Sequence, residues 1–158
     1  WTAAESLATK AIQMAPGDPR PRLLRSTVLR KTERREEAWT DARIADSLAV
    51  RGNDPELMAR ARLELGDVLR SLGKLPDALS AYDQSRRIAE ANGYRHLEAT
   101  ALAQLGFAML LRGDSNPARD TLDHALKLAT RACDRPVEGL TLRGEAIAQA
   151  WITIGIAH

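Results

Sequence analysis

Apolar residues recur along the chain at the spacing of an α-helix. Leu65, Leu69 and Leu72 form one such run, and the same spacing returns at Leu102 and Leu105. Residues three or four apart share one face of a helix, so each run gives a helix an apolar stripe. Together with the turn residues, the pattern predicts an all-α chain with helices over residues 2–15, 20–32, 36–50, 55–72, 76–91, 95–112, 117–132 and 137–158.

The chain also repeats itself at a fixed shift. Leu65-Gly66, Gly73 and Ala78 return with unchanged spacing as Leu105-Gly106, Gly113 and Ala118. Small residues mark two matched points of every second helix, first at Ala4, Ala38, Ala78 and Ala118, and then at Ala11, Ala45, Ser85 and Ala125. Small side chains at these points allow two helices to pack closely, which predicts a series of helical hairpins.

Glycine and proline punctuate the predicted helices. Gly73, Gly93 and Gly113 stand where helices end, and glycine adopts the left-handed conformation of a helix C-terminus at little cost. Pro76 and Pro117 stand where the next helices begin, and proline suits the first turn of a helix. The predicted connections are therefore short turns.

On these residues the chain resembles the tetratricopeptide repeat, whose consensus has Leu-Gly in its first helix, Gly in the turn and two small residues in its second helix. The step from Ala4 to Ala38 matches the length of the standard repeat. The steps from Ala38 to Ala78 and from Ala78 to Ala118 are longer, and are similar to the lengthened repeats of signalling adaptors, kinesin light chains and bacterial regulators. The resemblance covers roughly residues 1–132. It implies a right-handed superhelical solenoid of antiparallel helix pairs, with about four repeats plus a C-terminal helix.

The repeat boundaries follow from the same alignment. We expect one solenoid fragment with a partial repeat over 1–18, repeats over 19–54, 55–94 and 95–135, and a partial repeat or capping helix over 136–158. Arg25-Ser26 replaces Leu-Gly, so the second repeat departs most from the pattern. Both ends cut through the repeat pattern, which suggests a longer protein and makes self-association through the ends a hypothesis.

The resemblance also implies a ligand-binding surface, because the first helix of each pair lines a concave groove in this family. The residues at the corresponding positions are Arg20, Leu23, Thr27, Arg30 and Lys31; Arg60, Leu63, Asp67, Arg70 and Ser71; and Thr100, Ala103, Phe107, Leu110 and Leu111. This lining changes from basic to apolar along the groove. It would suit a peptide with carboxylates near one end and apolar anchors near the other. The simpler interpretation is that these arginines are solvated and that Phe107 packs on a neighbouring helix.

The function indicated is a protein- or peptide-binding scaffold segment of a larger regulatory or signalling protein. The alternative is an effector-sensing regulatory domain of a bacterial transcription or signalling protein. The clamp that some relatives use for acidic C-termini is not expected, because Leu23, Thr27, Leu63 and Asp67 stand near the positions where it needs Lys and Asn. A phosphate loop, a nucleophile elbow and a dinucleotide fingerprint are all missing, so neither an enzyme nor a cofactor site is expected.

Composition narrows the choice of partner. The net charge is only +2, and the basic stretch from Arg20 to Arg43 contains a single aromatic residue, Trp39, so nucleic acid is not the expected ligand. Nineteen of the 23 basic residues are arginine, a skew typical of a GC-rich, bacterial genome.

The remaining chemistry-bearing residues are isolated. His96, His124 and His158 fall on separate predicted helices without metal-ligand spacing, and Cys133 has neither a second cysteine nor a catalytic base nearby in the sequence. One cysteine and no membrane-spanning apolar run favour a cytoplasmic location.

Overall fold

The computed structural model describes residues 1–133, and this part is helical with no strand. Its helices are α1 (Thr2–Met14), α2 (Pro19–Lys31), α3 (Arg35–Arg51), α4 (Pro55–Ser71), α5 (Leu75–Ala91), α6 (Arg95–Arg112) and α7 (Ser115–Cys133). The bounds of all seven lie within two residues of the sequence prediction, which is therefore confirmed for them. The helix predicted over 137–158, which would be a partial repeat or a capping helix, lies outside the described residues.

Two compact units divide the chain. The first, Trp1–Ala81, contains α1 to α4 and the start of α5. Within it α1 packs on α2, α2 on α3 and α3 on α4, and α2 also lies against α4. The second unit starts at Tyr82, and in its described part α6 packs on α7.

The small residues singled out in the sequence lie where helices meet. Ala38, Ala45, Ala78, Ser85, Ala118 and Ala125 are all buried, whereas Ala4 and Ala11 on the first helix are half-buried. In the first unit the core joins Leu29 of α2, Ala38 and Ala42 of α3, and Val68 of α4. Trp39, Leu65 and Leu72 pack around this cluster. The second unit has a matching cluster of Leu102, Ala103 and Ala125.

A residue in the left-handed conformation ends five successive helices. These residues are Glu33, Asn53, Gly73, Gly93 and Gly113, and they are evenly spaced along the chain. In each of these turns the next residue donates its backbone N–H to the carbonyl five positions earlier, as Lys74 does to Leu69 and Asp114 to Met109. The turns are therefore alike although glycine occupies only the last three.

Longer helices account for the longer repeat. The helices α1 and α2 have 13 residues each, and α3 and α4 have 17 each. Four residues add about one turn, or about 6 Å of helix. The step from Ala38 to Ala78 therefore exceeds the step from Ala4 to Ala38 because the hairpins are taller, while the turns between these helices stay short.

Candidate functional site

The predicted lining of the groove is divided between the two units. The helices α2 and α4, which carry Arg20, Leu23, Thr27, Arg30, Lys31, Arg60, Leu63, Asp67, Arg70 and Ser71, lie side by side in the first unit. The helix α6, which carries Thr100, Ala103, Phe107, Leu110 and Leu111, belongs to the second unit. We call the surface formed by the first set the α2–α4 face.

Glu64 occupies the centre of the α2–α4 face and was not among the predicted residues. The Ser26 hydroxyl donates to its Oε1 at 3.0 Å, and the Thr27 hydroxyl donates to its Oε2 at 3.0 Å. Arg30 donates from Nε to Oε1 at 3.3 Å. Burial raises the pKa of the Glu64 carboxyl above its ordinary value, and the Arg30 charge only partly opposes this.

Asp67, one helical turn further along α4, completes the polar centre. Its Oδ2 lies 3.4 Å from Arg30 Nη2, and its Oδ1 lies 3.6 Å from Arg70 Nη2. Arg30 is therefore held between two carboxylates of α4. The two arginines predicted to attract an acidic partner are already next to acidic groups of the protein itself.

The outer arginines of the α2–α4 face are paired as well. Arg20 contacts the carboxylate of Asp18 at 2.8 Å, and Arg60 contacts that of Glu56 at 2.7 Å. The hydrogen bonds from Arg20 lower the pKa of Asp18. Counting arginines along the sequence therefore overstates the positive charge of this face, because each one lies beside a carboxylate.

Both helices of this face begin with the same local sequence. Asp18-Pro19 starts α2 and Asp54-Pro55 starts α4. Asp18 accepts a hydrogen bond from the Arg20 backbone N–H, and Asp54 accepts one from the Leu57 backbone N–H. Each aspartate satisfies a free donor at the helix start, and each proline supplies a suitable backbone angle.

An open pocket lies between these two helix starts. Its volume is about 410 Å³, and it is lined by Arg20, Leu23, Asp54, Glu56, Leu57 and Arg60. Three predicted residues, Arg20, Leu23 and Arg60, thus come together in one place. Glu56 and Leu57 come from the first turn of α4, and α4 is about one turn longer than α2. The pocket combines two leucine side chains with two arginines and two carboxylates, and one arginine and one carboxylate, Arg60 and Glu56, are paired with each other.

The predicted residues of α6 differ in their exposure. Ala103 is fully buried and packs with Leu102 and Ala125, so its methyl group is not available to a partner. Thr100 bonds its hydroxyl to the His96 carbonyl at 2.8 Å. Phe107 and Leu110 are partly exposed, and Leu111 is more than half exposed. The apolar part of the prediction therefore rests on these last three residues.

A second buried carboxylate explains why the second repeat departs from the Leu-Gly pattern. Asp41 of α3 is 2% exposed and receives Nε of Arg25 at 2.6 Å and its Nη2 at 2.8 Å. Arg22 adds a contact at 3.2 Å. Hydrogen bonding to Asp41 raises the pKa of Arg25. Arg25-Ser26 can thus replace Leu-Gly because α3 supplies Asp41 to the arginine and α4 supplies Glu64 to the serine.

A smaller pocket of about 230 Å³ lies among α1, α2 and α3. Arg34 contacts Glu5 of α1 at 2.7 Å and Glu37 of α3 at 2.6 Å along its wall. The Arg34 hydrogen bonds lower the pKa of Glu37. These contacts connect α1 to α3. A ligand that entered the pocket would find Arg34 already paired with two carboxylates.

Within residues 1–133, no three histidine, cysteine, aspartate or glutamate side chains gather closely enough to hold a metal ion. Among the helices of the same residues, none is both long and apolar enough to span a membrane. His96 and His124 lie on α6 and α7, and His158 falls outside the described residues. Cys133 ends α7.

Comparison with known proteins agrees with the geometry. A solved structure, BtubC (BKLC) from P. vanneervenii, matches with a TM-score of 0.73 and 16% sequence identity over 99% of this chain. The chain spans 62% of the length of that BtubC chain, and at this identity the likeness concerns the fold alone. No curated protein matches the chain in sequence.

The family comparison covers the middle and the end of the described residues. The model of the tetratricopeptide repeat matches residues 57–131, which include all of α5 and α6 and most of α4 and α7. The resemblance seen in Leu65-Gly66 and Leu105-Gly106 is thereby confirmed, and the helical-repeat fold agrees with it. Residues 57–131 of the chain therefore match the tetratricopeptide-repeat family.

Proposed function

We propose that this chain is a protein-interaction scaffold that holds a peptide segment of a partner on the α2–α4 face. Tetratricopeptide repeats generally serve as scaffolds for protein–protein interaction and generally lack catalytic activity. The observation that carries the proposal is the open pocket of about 410 Å³ between the starts of α2 and α4. It offers apolar contact and charged groups together, as peptide-binding surfaces do.

The pocket suggests which part of a partner would be held there. Leu23 and Leu57 would contact an apolar side chain, and Arg20, with its side chain 73% exposed, can turn toward a carboxylate of the peptide. Acidic and apolar anchors on one segment remain our proposal for the partner. Phe107, Leu110 and Leu111 of α6, in the second unit, are proposed as a separate apolar contact surface.

Charge reversal at the pocket tests this function. The chain would be screened against an immobilised peptide library, and hits would be measured by fluorescence anisotropy. For a true ligand of the pocket, Arg20→Glu with Arg60→Glu should weaken binding at least about tenfold, since two favourable contacts become repulsive. The control is Arg51→Glu with Arg119→Glu, which changes the net charge equally at exposed sites on other helices. Equal affinity of the two double variants would contradict the proposal.

The alternative function, binding of a small effector, has one observation in its favour. A volume of about 410 Å³ falls within the range of small-molecule sites. Screening metabolites by the emission of the tryptophans would separate the two functions. A saturable shift that Leu57→Glu abolishes would favour the effector.

The setting of the scaffold is also a proposal. We propose that the segment serves a larger regulatory or signalling protein of a bacterium, in the cytoplasm. The domains encoded beside it in the complete gene test this directly: an output domain such as a kinase or a DNA-binding domain supports regulation, and its absence argues against it.

A further inference from the structure

Arg30 of the α2–α4 face already contacts two carboxylates of the protein itself. Its Nε lies 3.3 Å from Glu64 and its Nη2 lies 3.4 Å from Asp67, and the arginine side chain is 19% exposed. The two carboxylates are 12% and 16% exposed. Both come from α4, whereas Arg30 comes from α2, so the contact joins neighbouring first helices of successive hairpins.

The carboxylates are themselves held in place. Ser26 and Thr27 each donate a hydroxyl to Glu64 at 3.0 Å, and Arg70 approaches Asp67 from the same helix. A carboxylate fixed by neutral donors is oriented before it meets the guanidinium. An incoming carboxylate, in contrast, must be ordered on binding, which costs conformational entropy. The internal carboxylates therefore compete well against an external one.

We propose that Glu64 and Asp67 determine the specificity of the α2–α4 face by occupying Arg30, so that a peptide carboxylate reaches Arg30 only by displacing them. This inference rests on the proposed function, since it concerns the same surface. It has a definite consequence: the wild-type face rejects simple polyanions and selects partners by the pocket of Arg20, Leu23, Leu57 and Arg60. Acidity alone does not bring a ligand to Arg30.

The test uses a fluorescein-labelled hexaglutamate peptide as the probe and the whole chain as the receptor. Glu64→Gln with Asp67→Asn keeps the shape of both side chains while removing their charges. Anisotropy at low ionic strength should show this double variant binding the probe about fivefold to tenfold more tightly than the wild type. Adding Arg30→Gln to the double variant should return the affinity to the wild-type level.

A matched control separates a local effect from a change in net charge. Glu36→Gln with Asp77→Asn also removes two acidic charges, but these two exposed residues have no arginine partner among the described residues. The proposal is overturned if this control gains as much affinity as the Glu64 and Asp67 variant. It is equally overturned if the gain survives Arg30→Gln.

A chemical readout requires no ligand at all. Phenylglyoxal modifies accessible guanidinium groups, and peptide mass spectrometry can follow Arg30 and Arg119 in one sample. Modification of Arg30 should be several-fold faster in the Glu64 and Asp67 variant, with Arg119 unchanged as the internal standard. If the variant has the circular dichroism of the folded protein and the reactivity of Arg30 is unchanged, the proposal that Glu64 and Asp67 occupy Arg30 is contradicted.

The two proposals can fail separately. If the peptide library yields no ligand sensitive to Arg20 and Arg60, the proposed function fails, while the hexaglutamate and phenylglyoxal results still decide on Arg30. If a ligand is found but Arg30 is no more available in the double variant, only the specificity proposal fails.

Discussion

At the residue scale, a single backbone position shows how the repeat tolerates an unsuited side chain. Glu33 has a φ of 63°, the left-handed conformation that Gly73 and Gly113 hold at the equivalent points of later repeats. A residue with a Cβ adopts this conformation at a cost of roughly 1–2 kcal/mol, which glycine avoids. The side chain of Glu33 is exposed and pairs with Arg35, so little is lost when it is removed.

We expect Glu33→Gly to raise the free energy of unfolding by about 0.5–1 kcal/mol, since the relief of strain exceeds the entropy that glycine adds to the unfolded chain. Urea denaturation followed by circular dichroism would measure it. The control is Asn53→Gly, because Asn53 has a φ of 49° and asparagine tolerates this region. Asn53→Gly should change stability less than Glu33→Gly, and the reverse order would contradict this explanation.

Glu64 should leave a signature in the pH dependence of stability. Its native pKa lies above the usual 4.5 because the carboxyl is buried, so between these two values the folded state binds more protons than the unfolded state. The Glu64 contribution to the unfolding free energy must then fall as the pH rises through this window and stay constant above it.

Glu64→Gln removes that contribution without a large change in shape. We expect the stability of the wild type minus that of Glu64→Gln to decrease as the pH rises from 4.5 to beyond the native pKa. Subtracting the two profiles cancels Asp18 and Glu37, whose lowered pKa values cause the opposite trend. A difference that increases with pH would show that Arg30 outweighs burial at this carboxyl.

At the scale of elements, close packing of a helix pair depends on complementary side-chain sizes. A Cβ added to Gly106 of α6 would lie 2.7 Å from Cγ of Leu122 on α7. Two repeats earlier, at the equivalent positions of α2 and α3, Ser26 stands in place of Gly106, and Ala42 stands in place of Leu122. The larger residue on the first helix is thus matched by a smaller one on the second.

Gly106→Ala should therefore destabilise the protein. Overpacking against Leu122 costs about 1–3 kcal/mol, and the better helix propensity of alanine returns up to about 1 kcal/mol, so we expect a net loss of about 1–2 kcal/mol. Gly17→Ala serves as the control, because its Cβ would have no atom within 4 Å and its φ is not positive. Thermal unfolding of both variants would decide, and equal stability would refute the packing explanation.

The sequence predicted the elements better than their polar contacts. Apolar spacing, Gly73, Gly113 and the matched alanines are local signals, and they placed the described helices correctly. Asp41 and Glu64 carry no such signal, because a carboxylate on a helix looks solvated until the facing helix is known. The only hint was Arg25-Ser26 in the place of Leu-Gly, which required polar partners that the sequence alone could not identify.

At the scale of the whole molecule, charge is arranged as many pairs of opposite sign. Many arginines of the described residues contact nearby carboxylates, as Arg34 does with Glu37 and Arg86 with Glu90. Such surface pairs contribute a few tenths of a kcal/mol each, so the core of leucine and alanine residues, and not the ion pairs, must supply most of the stability.

If the core supplies most of the stability, the free energy of unfolding should depend only weakly on the salt concentration. Raising the NaCl concentration from about 0.05 M to about 1 M shortens the screening length to about 3 Å, yet we expect the unfolding free energy to change by less than about 2 kcal/mol. Urea titrations at each salt concentration would measure this. A larger loss would show that the ion pairs act as a stabilising network.

The even spacing of the turns has an evolutionary consequence. The chain reverses with the same backbone geometry at Glu33, Asn53, Gly73, Gly93 and Gly113. Loss or duplication of a two-helix block between two of these points would therefore leave a turn of the same geometry at the new connection. Gene rearrangement could thus shorten or lengthen the array without inventing a new connection. An exchange at Glu33 would part Asp41 from Arg22 and Arg25, whereas an exchange at Asn53 would keep these three together. Either exchange would part Ser26, Thr27 and Arg30 from Glu64. A hairpin that carries Ser26, Thr27 and Arg30 therefore requires a following hairpin that supplies a carboxylate at the position of Glu64.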